Sequence, residues 1–520
     1  MKVSTVKVQI QIIGVLIIIG TVYSHNILGL FPTTAKSAFL ASEAIMKELA
    51  RRGHNVTVVS CFPQQNKISN YTDISIRSAR ESMMYESSID IKKYNIPLDI
   101  LDLTPFFTDL IESMRSVLEF SGIQELLSSN MSFDVVFHEM FVDDIFLLIS
   151  RKFNAPIIAI GPSYILPWAA DRFAIPQNPS YIPVIANGYS AKMNFCERLW
   201  NTITLIRSKI DYWNILNPKS LEVYSKHYKE TLPSFREVSS YVSMYFVNQH
   251  FTLNRPRPLP PQVIEIAGVH LKPVKALEQE LQMWMDNAPF GVVYFSFGSM
   301  LRGASLPTEK VQIFLEVFRS FPQRVLWKWE DDPPSGVPEH VKVLKWLPQR
   351  DILGHKNIRF FISHGGLLGV TEAVAEGVPI LGIPTNMDQA NNIASLVDLG
   401  AGMVLDYNNI TVETLYYSYN QMLSDSSYAE NAKKLSERFL DRPQSPLDTA
   451  VYWTEYVIRH GGAPHLQSAA VHLTWYQYYL LDVIAVCLAA LAATVATVVY
   501  IIKTSLRVFC SRTSSKMKVN

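Results

Sequence analysis

Two Rossmann-like α/β domains facing across a cleft, followed by one membrane-spanning helix, form the architecture this sequence predicts, on three observations. Short, continuously apolar segments alternate with helical stretches in two successive series. A proline cluster, Arg255-Pro256-Arg257-Pro258-Leu259-Pro260-Pro261, separates the series. Near the end, Val483 to Ile502 gives 20 residues without a charge, the length that crosses a hydrocarbon layer.

The first series opens with Asn26-Ile27-Leu28-Gly29-Leu30-Phe31, read as a strand. A helix follows, with Ala41, Ile45, Met46 and Leu49 on one face, and stops at Arg51-Arg52-Gly53, basic residues then a terminating glycine. Val56 to Val59 is the next strand; Asp134 to Phe137 and Ile157 to Ile160 flank a further helix. Strands this apolar, alternating with helices, argue a parallel sheet covered on both faces. The stretch from Tyr164 to Pro233 reads as irregular, aromatic and proline-broken, a pocket wall. The second series has strands at Val292–Phe297, Val325–Lys328 and Arg359–Ser363, with helices from Thr308 to Phe321 and from about Leu367. These readings divide the chain into an N-terminal domain (25–254), a linker (255–270), a C-terminal domain (271–445), a C-terminal helix with juxtamembrane segment (446–482), the span (483–502) and a tail (503–520).

The two ends carry addresses. Ile10 to Ile19, preceded by Lys2 and Lys7 and followed by small residues, reads as a cleavable signal peptide over residues 1–24. Trp475, Tyr476, Tyr478 and Tyr479 precede the span as an aromatic belt; Lys503, Arg507, Arg512, Lys516 and Lys518 follow it with no acidic residue. The expected topology is therefore single-pass, with the tail cytosolic and the bulk lumenal. Lys518 and Lys516, third and fifth from the end, resemble the dilysine signal for retrieval to the endoplasmic reticulum. With Lys+Arg 47 against Asp+Glu 46, nothing attracts a polyanion, so nucleic acid is excluded as a partner. Of the sequons, Asn70, Asn130 and Asn409 are expected to carry glycans, whereas Asn55 falls in an expected buried strand. Cys61 and Cys196 are the lumenal cysteines; nothing in the sequence argues for their pairing.

Chemistry concentrates between Phe361 and Gln389. In Phe361-Ile362-Ser363-His364-Gly365-Gly366 a strand ends, His and two glycines turn the chain, and a helix begins. Free amides at a helix N-terminus bind anions, and glycines permit close approach. Alone, this is an ordinary strand–helix turn. Gly369 and Glu372, three apart on the new helix, share a face where a ribose could lie against the glycine while the carboxylate accepts its hydroxyl protons. The proline-bracketed Pro379 to Pro384 then delivers Asp388-Gln389, an acid and an amide suited to vicinal sugar hydroxyls; Asp388 alone would serve as an N-cap.

Together these residues resemble the signature of the UDP-glycosyltransferase family, and only Thr385, where a large apolar residue is usual, departs from it. The resemblance covers nearly the whole chain. It implies the two-domain arrangement known as GT-B. It also implies base-binding roles for Trp346 (stacking) and Gln349 (hydrogen bonding) in Trp346-Leu347-Pro348-Gln349, and a diphosphate contact for Ser299 in Phe295-Ser296-Phe297-Gly298-Ser299-Met300. The signal peptide, span and lysine tail match the animal membrane-bound branch, and the wording Leu28-Gly29-Leu30-Phe31-Pro32 is most like its insect members. UDP-glucose is thus the expected co-substrate, with no metal or other cofactor. The implied acceptor is small and lipophilic, and homo-oligomers are allowed.

One position breaks the family pattern. Inverting transfer removes a proton from the acceptor hydroxyl, and the family supplies a His after the first strand with a partner carboxylate after a later one. Here Lys36-Ser37-Ala38-Phe39 puts Ala38 at the base position; the partner acid aligns with Glu139, or alternatively with Asp144. His54 is too far along the chain to substitute, and His138 should point away from Glu139's side of its strand. Three outcomes stay open: Glu139 acting directly, acceptors such as phenols or carboxylic acids that ionise unaided, or binding of UDP-sugar with weak or no catalysis. A receptor or carrier for lipophilic molecules, indifferent to Asp388 and Gln389, is the reading from a different class.

Overall fold

The computed structural model describes residues 24–80, 104–228, 237, 241–299 and 301–516. The signal-peptide reading and the last lysine of the tail lie outside them.

Among the described residues, thirteen strands form two sheets. The first holds β1 (Asn26–Phe31), β2 (Asn55–Ser60), β3 (Tyr71–Ser75), β4 (Val135–Glu139), β5 (Ile157–Gly161), β6 (Val242–Val247) and β7 (Val263–Glu265), in the order β3-β2-β1-β4-β5-β6-β7. The second holds β8 (Val292–Ser296), β9 (Arg324–Lys328), β10 (Val341–Leu344), β11 (Ile358–Ser363), β12 (Ile380–Gly382) and β13 (Gly402–Val404), in the order β10-β9-β8-β11-β12-β13. Every pairing is parallel.

Alternation within each strand feeds two cores, one per face. In the first sheet Leu28, Leu30 and Val136 enter one cluster, and Ile27, Phe31, Val135 and Phe137 the other. In the second, Val293, Phe295 and Ile362 face one way, and Val292, Tyr294 and Phe361 the other. This explains why the strands are apolar throughout rather than at every second residue. The helix Lys36–Arg51 covers the first sheet and ends where expected: Gly53, at φ 97, lets its own amide and that of His54 bond back to Ala50 and Leu49.

Strand order reverses between β1 and β4 and again between β8 and β11. At such a reversal the loops leave in opposite directions and open a crevice beyond the carboxyl ends of the strands. Residues after β1, β4, β8 and β11 are therefore the ones each sheet offers to a ligand.

Three sequence expectations need correction. The stretch after Tyr164 is not irregular throughout: Phe195–Asp211 is a 17-residue helix that passes through a π-turn, Tyr212–Leu216, into the helix Asn217–His227. A reciprocal capping box, Asn194 with Glu197, starts it, a signal masked by the aromatic composition. The seventh strand of the first sheet, Val263–Glu265, lies within the segment read as linker. Asn55 is exposed at the first position of β2, where its amide donates to Asn26 Oδ1 at 3.2 Å, so its sequon is not sealed in a strand. Asn70, Asn130 and Asn409 are exposed as well; Cys61 is buried and Cys196 exposed.

The helix Pro446–Arg459 follows the second sheet in sequence yet packs on the first. Ala450, Val451 and Val457 share a core with Ile27, Phe31 and Ile45. Residues 468–520 form a separate unit. Within it the helix Leu481–Lys516 has an apolar stretch, Leu481–Cys510, whose most apolar 18 residues have a mean hydropathy of 2.4, long and apolar enough to cross a membrane. It extends the span read from sequence at both ends. Trp475, Tyr476, Tyr478 and Tyr479 before it are exposed.

Candidate functional site

The crevice of the second sheet is built around His364. This residue directly follows β11, which pairs with β8, and the ring stands in a slot between two glycines. A Cβ on Gly298 would come to 2.6 Å from the ring and one on Gly366 to 2.5 Å. Gly298 also has φ 78, which a side chain would strain. Burial, and then the charge of Lys328, pull the His364 pKa down to about 4, so the imidazole is neutral at physiological pH. Its Nδ1 is sealed from solvent with no hydrogen-bond partner. Such an orphaned polar atom beside a helix start is a place for a ligand to bond. The helix Leu367–Ala375 begins there, with Gly366 at its N-cap position and no side chain capping it. Its first amides are thus free for an anion. Ser299, just past Gly298, is exposed on the same crevice.

One turn along that helix, Glu372 Oε2 accepts from Gln349 Nε2 at 2.6 Å, while Gln349 Oε1 accepts from the Tyr294 hydroxyl at 3.2 Å. A Cβ on Gly369 would sit 3.1 Å from the same Gln349 amide. Gln349, Gly369 and Glu372 therefore form one patch; the spacing placed Gly369 and Glu372 on one face, and Gln349 joins them from another element. Burial raises the Glu372 pKa, partly offset by the Gln349 bond. Trp346 is 74 % exposed, with the Lys328 ammonium 5.9 Å from its ring centre. So large an indole left in solvent is not a core residue; its face is open for stacking.

Asp388 and Gln389 differ from the expected matched pair. Asp388 precedes the helix Gln389–Asp398 but makes no capping bond. Its Oδ2 accepts from Asn392 Nδ2 at 3.0 Å, and burial lifts its pKa to about 6. Gln389 is turned inward instead. Its Oε1 takes the Thr385 amide (2.9 Å), the Thr385 hydroxyl (2.9 Å) and the Asn386 amide (3.2 Å), and its Nε2 donates to Asn386 Oδ1. Thr385, the residue that departs from the family pattern, thus holds Gln389 through its hydroxyl. Asn392 was missed in the sequence and is central here. It bonds both Asp388 and the Gly365 carbonyl (2.9 Å), joining the two ends of the motif. Its place one helical turn after Asp388 was the available signal. Nothing in the sequence marked Lys328.

Across the first sheet's crevice, Ala38 lies in the first turn of the helix Lys36–Arg51 and is partly buried. Glu139 closes β4, is 7 % exposed, and its Oε2 accepts from the Thr33 amide, in the loop after β1, at 3.3 Å. Asp144, the competing placement, belongs to a different system. Its carboxylate pairs with buried Arg172 and accepts from Tyr212 (2.6 Å) and Asn217 (2.8 Å), which ties the helices around it together. His54 sits at the opposite edge of the sheet, before β2, stacked on His25 and 3.4 Å from Glu455. His138 is buried, and desolvation lowers its pKa to about 3. Among the described residues no group of three or more His, Cys, Asp or Glu is placed to hold a metal ion.

The family model for UDP-glucoronosyl and UDP-glucosyl transferases matches residues 28–519. The chain belongs to this family. It is 43 % identical to UDP-glycosyltransferase UGT5 of Dactylopius coccus over 95 % of this chain and 94 % of that one. It is 41 % identical to UDP-glucosyltransferase 2 of the same insect (97 % and 98 %), and 32 % identical to UDP-glucuronosyltransferase 2B7 of Homo sapiens (91 % and 91 %). Among solved structures, CalG4, the calicheamicin glycosyltransferase, aligns with a TM-score of 0.53 at 16 % identity, covering 84 % of this chain and 99 % of that one. The glycotransferase of kitacinnamycin gives 0.52 at 17 % (83 % and 98 %). These likenesses show the GT-B fold, and as a member of the family the chain is a UDP-glycosyltransferase enzyme.

Two substitutions separate scaffold from site. Asp144→Ala strands the Arg172 guanidinium in the interior and is expected to lower unfolding free energy by about 3–5 kcal/mol, read from thermal or denaturant melts. Trp346→Ala is expected to leave the melt unchanged because the ring is in solvent. It should weaken UDP binding by about 1–3 kcal/mol of lost stacking, read by calorimetric titration.

Proposed function

We propose that this enzyme transfers a hexose, glucose by preference, from a UDP-sugar to a small lipophilic acceptor, with inversion at the anomeric carbon, in the lumen of the endoplasmic reticulum. The observation that carries the donor half is the neutral His364, slotted between Gly298 and Gly366 with an unpartnered Nδ1 beside a free helix start. Those groups suit the diphosphate, with Ser299 alongside. Trp346 and Gln349 suit the base, Gly369 and Glu372 the ribose, Asp388 the sugar hydroxyls. The choice of glucose is supported by the name of the 41 % identical UDP-glucosyltransferase 2. The lumenal placement is supported by the apolar helix with its basic tail and by the exposed Asn70, Asn130 and Asn409, the expected glycan sites.

In the reaction the acceptor oxygen bonds to the anomeric carbon from the face opposite the leaving group. The bond from that carbon to the β-phosphate oxygen breaks, and its electron pair departs with UDP. Amides of the helix Leu367–Ala375 and the His364 N–H stabilise the charge that develops on the diphosphate. The acceptor proton has no imidazole to receive it, because Ala38 stands at that place. Glu139 is oriented by the Thr33 amide at the edge of the same crevice, where its carboxylate can take the proton directly; from an acceptor that ionises unaided the proton has already gone to water. Absence of a positioned base costs about 10²–10⁴ in rate for an acceptor of high pKa and little for one that ionises unaided. Phenols and carboxylic acids are accordingly the acceptors this site suits. Ala38 also supports a second reading, a UDP-sugar-binding membrane protein with weak or no turnover.

The deciding experiment assays the full chain with UDP-glucose against phenols and aliphatic alcohols, native and as Ala38→His. Transfer to phenols by the native protein, extended toward alcohols by about 10²–10⁴ in the variant, supports the transferase. A native protein that binds UDP but transfers to nothing, while Ala38→His does, leaves only the binder.

A pH profile tests Asp388. Its ionised form accepts hydroxyl protons, and the raised pKa near 6 means that form is lost as pH falls through 6. The KM for UDP-glucose should be flat from pH 8 to 7 and climb toward about tenfold per unit below 6. His364, with its pKa near 4, adds nothing in that window. A profile flat to pH 5 overturns the role of Asp388.

A further inference from the structure

A diphosphate brings negative charge on each phosphate, and more develops on the β-phosphate as its oxygen leaves the anomeric carbon. The groups that suit it, His364, Ser299 and the first amides of the helix Leu367–Ala375, carry no full positive charge. A cation stands beside them. Lys328 is the last residue of β9, and strand register fixes its place. Phe295 of β8 is level with Trp327 on one side and with Ile362 on the other. The next level along therefore brings Lys328, Ser296 and Ser363 side by side, at the strand ends from which the Ser299 loop and the His364 turn depart.

Alternation puts Lys328 on the face of Leu326, Tyr294 and Phe361, which share a core with Leu367 and Val370 of that helix. On this face the Tyr294 hydroxyl reaches Gln349. From the other neighbour, β10, Leu344 is level with Lys328, and Trp346 follows two residues later. The lysine thus lies between the indole suited to the base and the imidazole suited to the diphosphate. Its side-chain contacts agree. The ammonium is 5.9 Å from the centre of the Trp346 ring, and its charge is felt at His364. Nζ donates to Glu330 Oε1, while Glu330 Oε2 is held by the Ala304 amide at 3.1 Å. An ammonium offers more than one N–H, so Lys328 can keep Glu330 and still bond a second anion.

We propose that Lys328 is a further donor-binding and catalytic residue, whose ammonium bonds the diphosphate of the UDP-sugar and stabilises the charge on departing UDP. The proposal rests on the donor half of the reading above and deepens it. The bonds made and broken are unchanged: the electron pair leaves the anomeric carbon with the β-phosphate oxygen. Lys328 keeps its proton throughout and acts as a fixed positive charge rather than as an acid.

The test compares UDP with uridine, which has the same base and ribose but no phosphate. Binding of each to the full chain in detergent is followed by calorimetry, native and as Lys328→Met, Lys328→Arg and the double variant Lys328→Met with Glu330→Gln. Expected is a Kd for UDP raised about tenfold or more in Lys328→Met, with that for uridine changed less than about threefold. Lys328→Arg, which keeps the charge, should recover part of the loss. The double variant should bind UDP as poorly as Lys328→Met. Equal losses on UDP and uridine, or no loss on either, would overturn the proposal. So would native UDP affinity in the double variant, which makes Lys328 a fastener for Glu330 and the single variant's defect a stranded carboxylate. In turnover with UDP-glucose and a phenol, Lys328→Met should lower kcat by about 10². The binding arm needs no acceptor, which keeps the two claims apart. A loss confined to UDP, in a protein that transfers to nothing, sustains Lys328 and sinks the transferase reading. Transfer to phenols by a protein whose UDP affinity ignores Lys328 does the reverse.

Discussion

Everything this protein can do in its crevices depends on where two parallel sheets reverse their strand order. Between β1 and β4, and between β8 and β11, adjacent strands send their chains to opposite faces, and the gap left behind is lined by backbone rather than packed with side chains. The second sheet uses that gap to present helix-start amides and a neutral imidazole; the first uses it to present Glu139 and the loop of Thr33. The glycines on either side of His364 follow from the same constraint. Two strand-end loops leave side by side, and the ring fits only if neither carries a Cβ toward it.

Asp388 illustrates how such a site trades against stability. A carboxylate whose pKa rises to about 6 on folding is held where its charge is poorly solvated, and between its ordinary pKa and 6 the folded state holds a proton that the unfolded state releases. Folding is therefore favoured on the acid side of that window and loses ground as pH rises through it. Function asks for the opposite, an ionised group. Asn392 moderates the conflict by donating to Asp388 while its other bond fixes the Gly365 carbonyl.

Much of this was legible in the sequence, for physical reasons that differ by element. The strands stood out because burial on both faces makes them apolar at every position, and the turn at His364 because only glycines admit it. What stayed hidden depends on contacts between residues far apart in the chain. The Phe195–Asp211 helix keeps Phe195, Leu199, Trp200, Ile203 and Ile206 in solvent, so its composition resembled a pocket wall rather than an amphipathic surface helix. The inward turn of Gln389 depends on Thr385, a residue notable in the sequence only as a departure. Asp144 and Glu139 are both acids just past one strand. Only the Arg172, Tyr212 and Asn217 partners, supplied from elsewhere, separate the structural carboxylate from the one at the crevice.

The helix Pro446–Arg459 adds a consequence in time. The first sheet is made of residues translated early, yet one of its faces is completed by Ala450, Val451, Val457 and Ala463, which are translated after the whole second sheet. Until then Ile27, Phe31, Ile45 and Met46 lack part of their cover, and the N-terminal half must wait, incompletely buried, while the entire second sheet is synthesised. Domain-by-domain folding during synthesis therefore leaves one face of the first sheet incompletely covered until that helix arrives. The last cover of the chain's first half arrives only after its second half has been made.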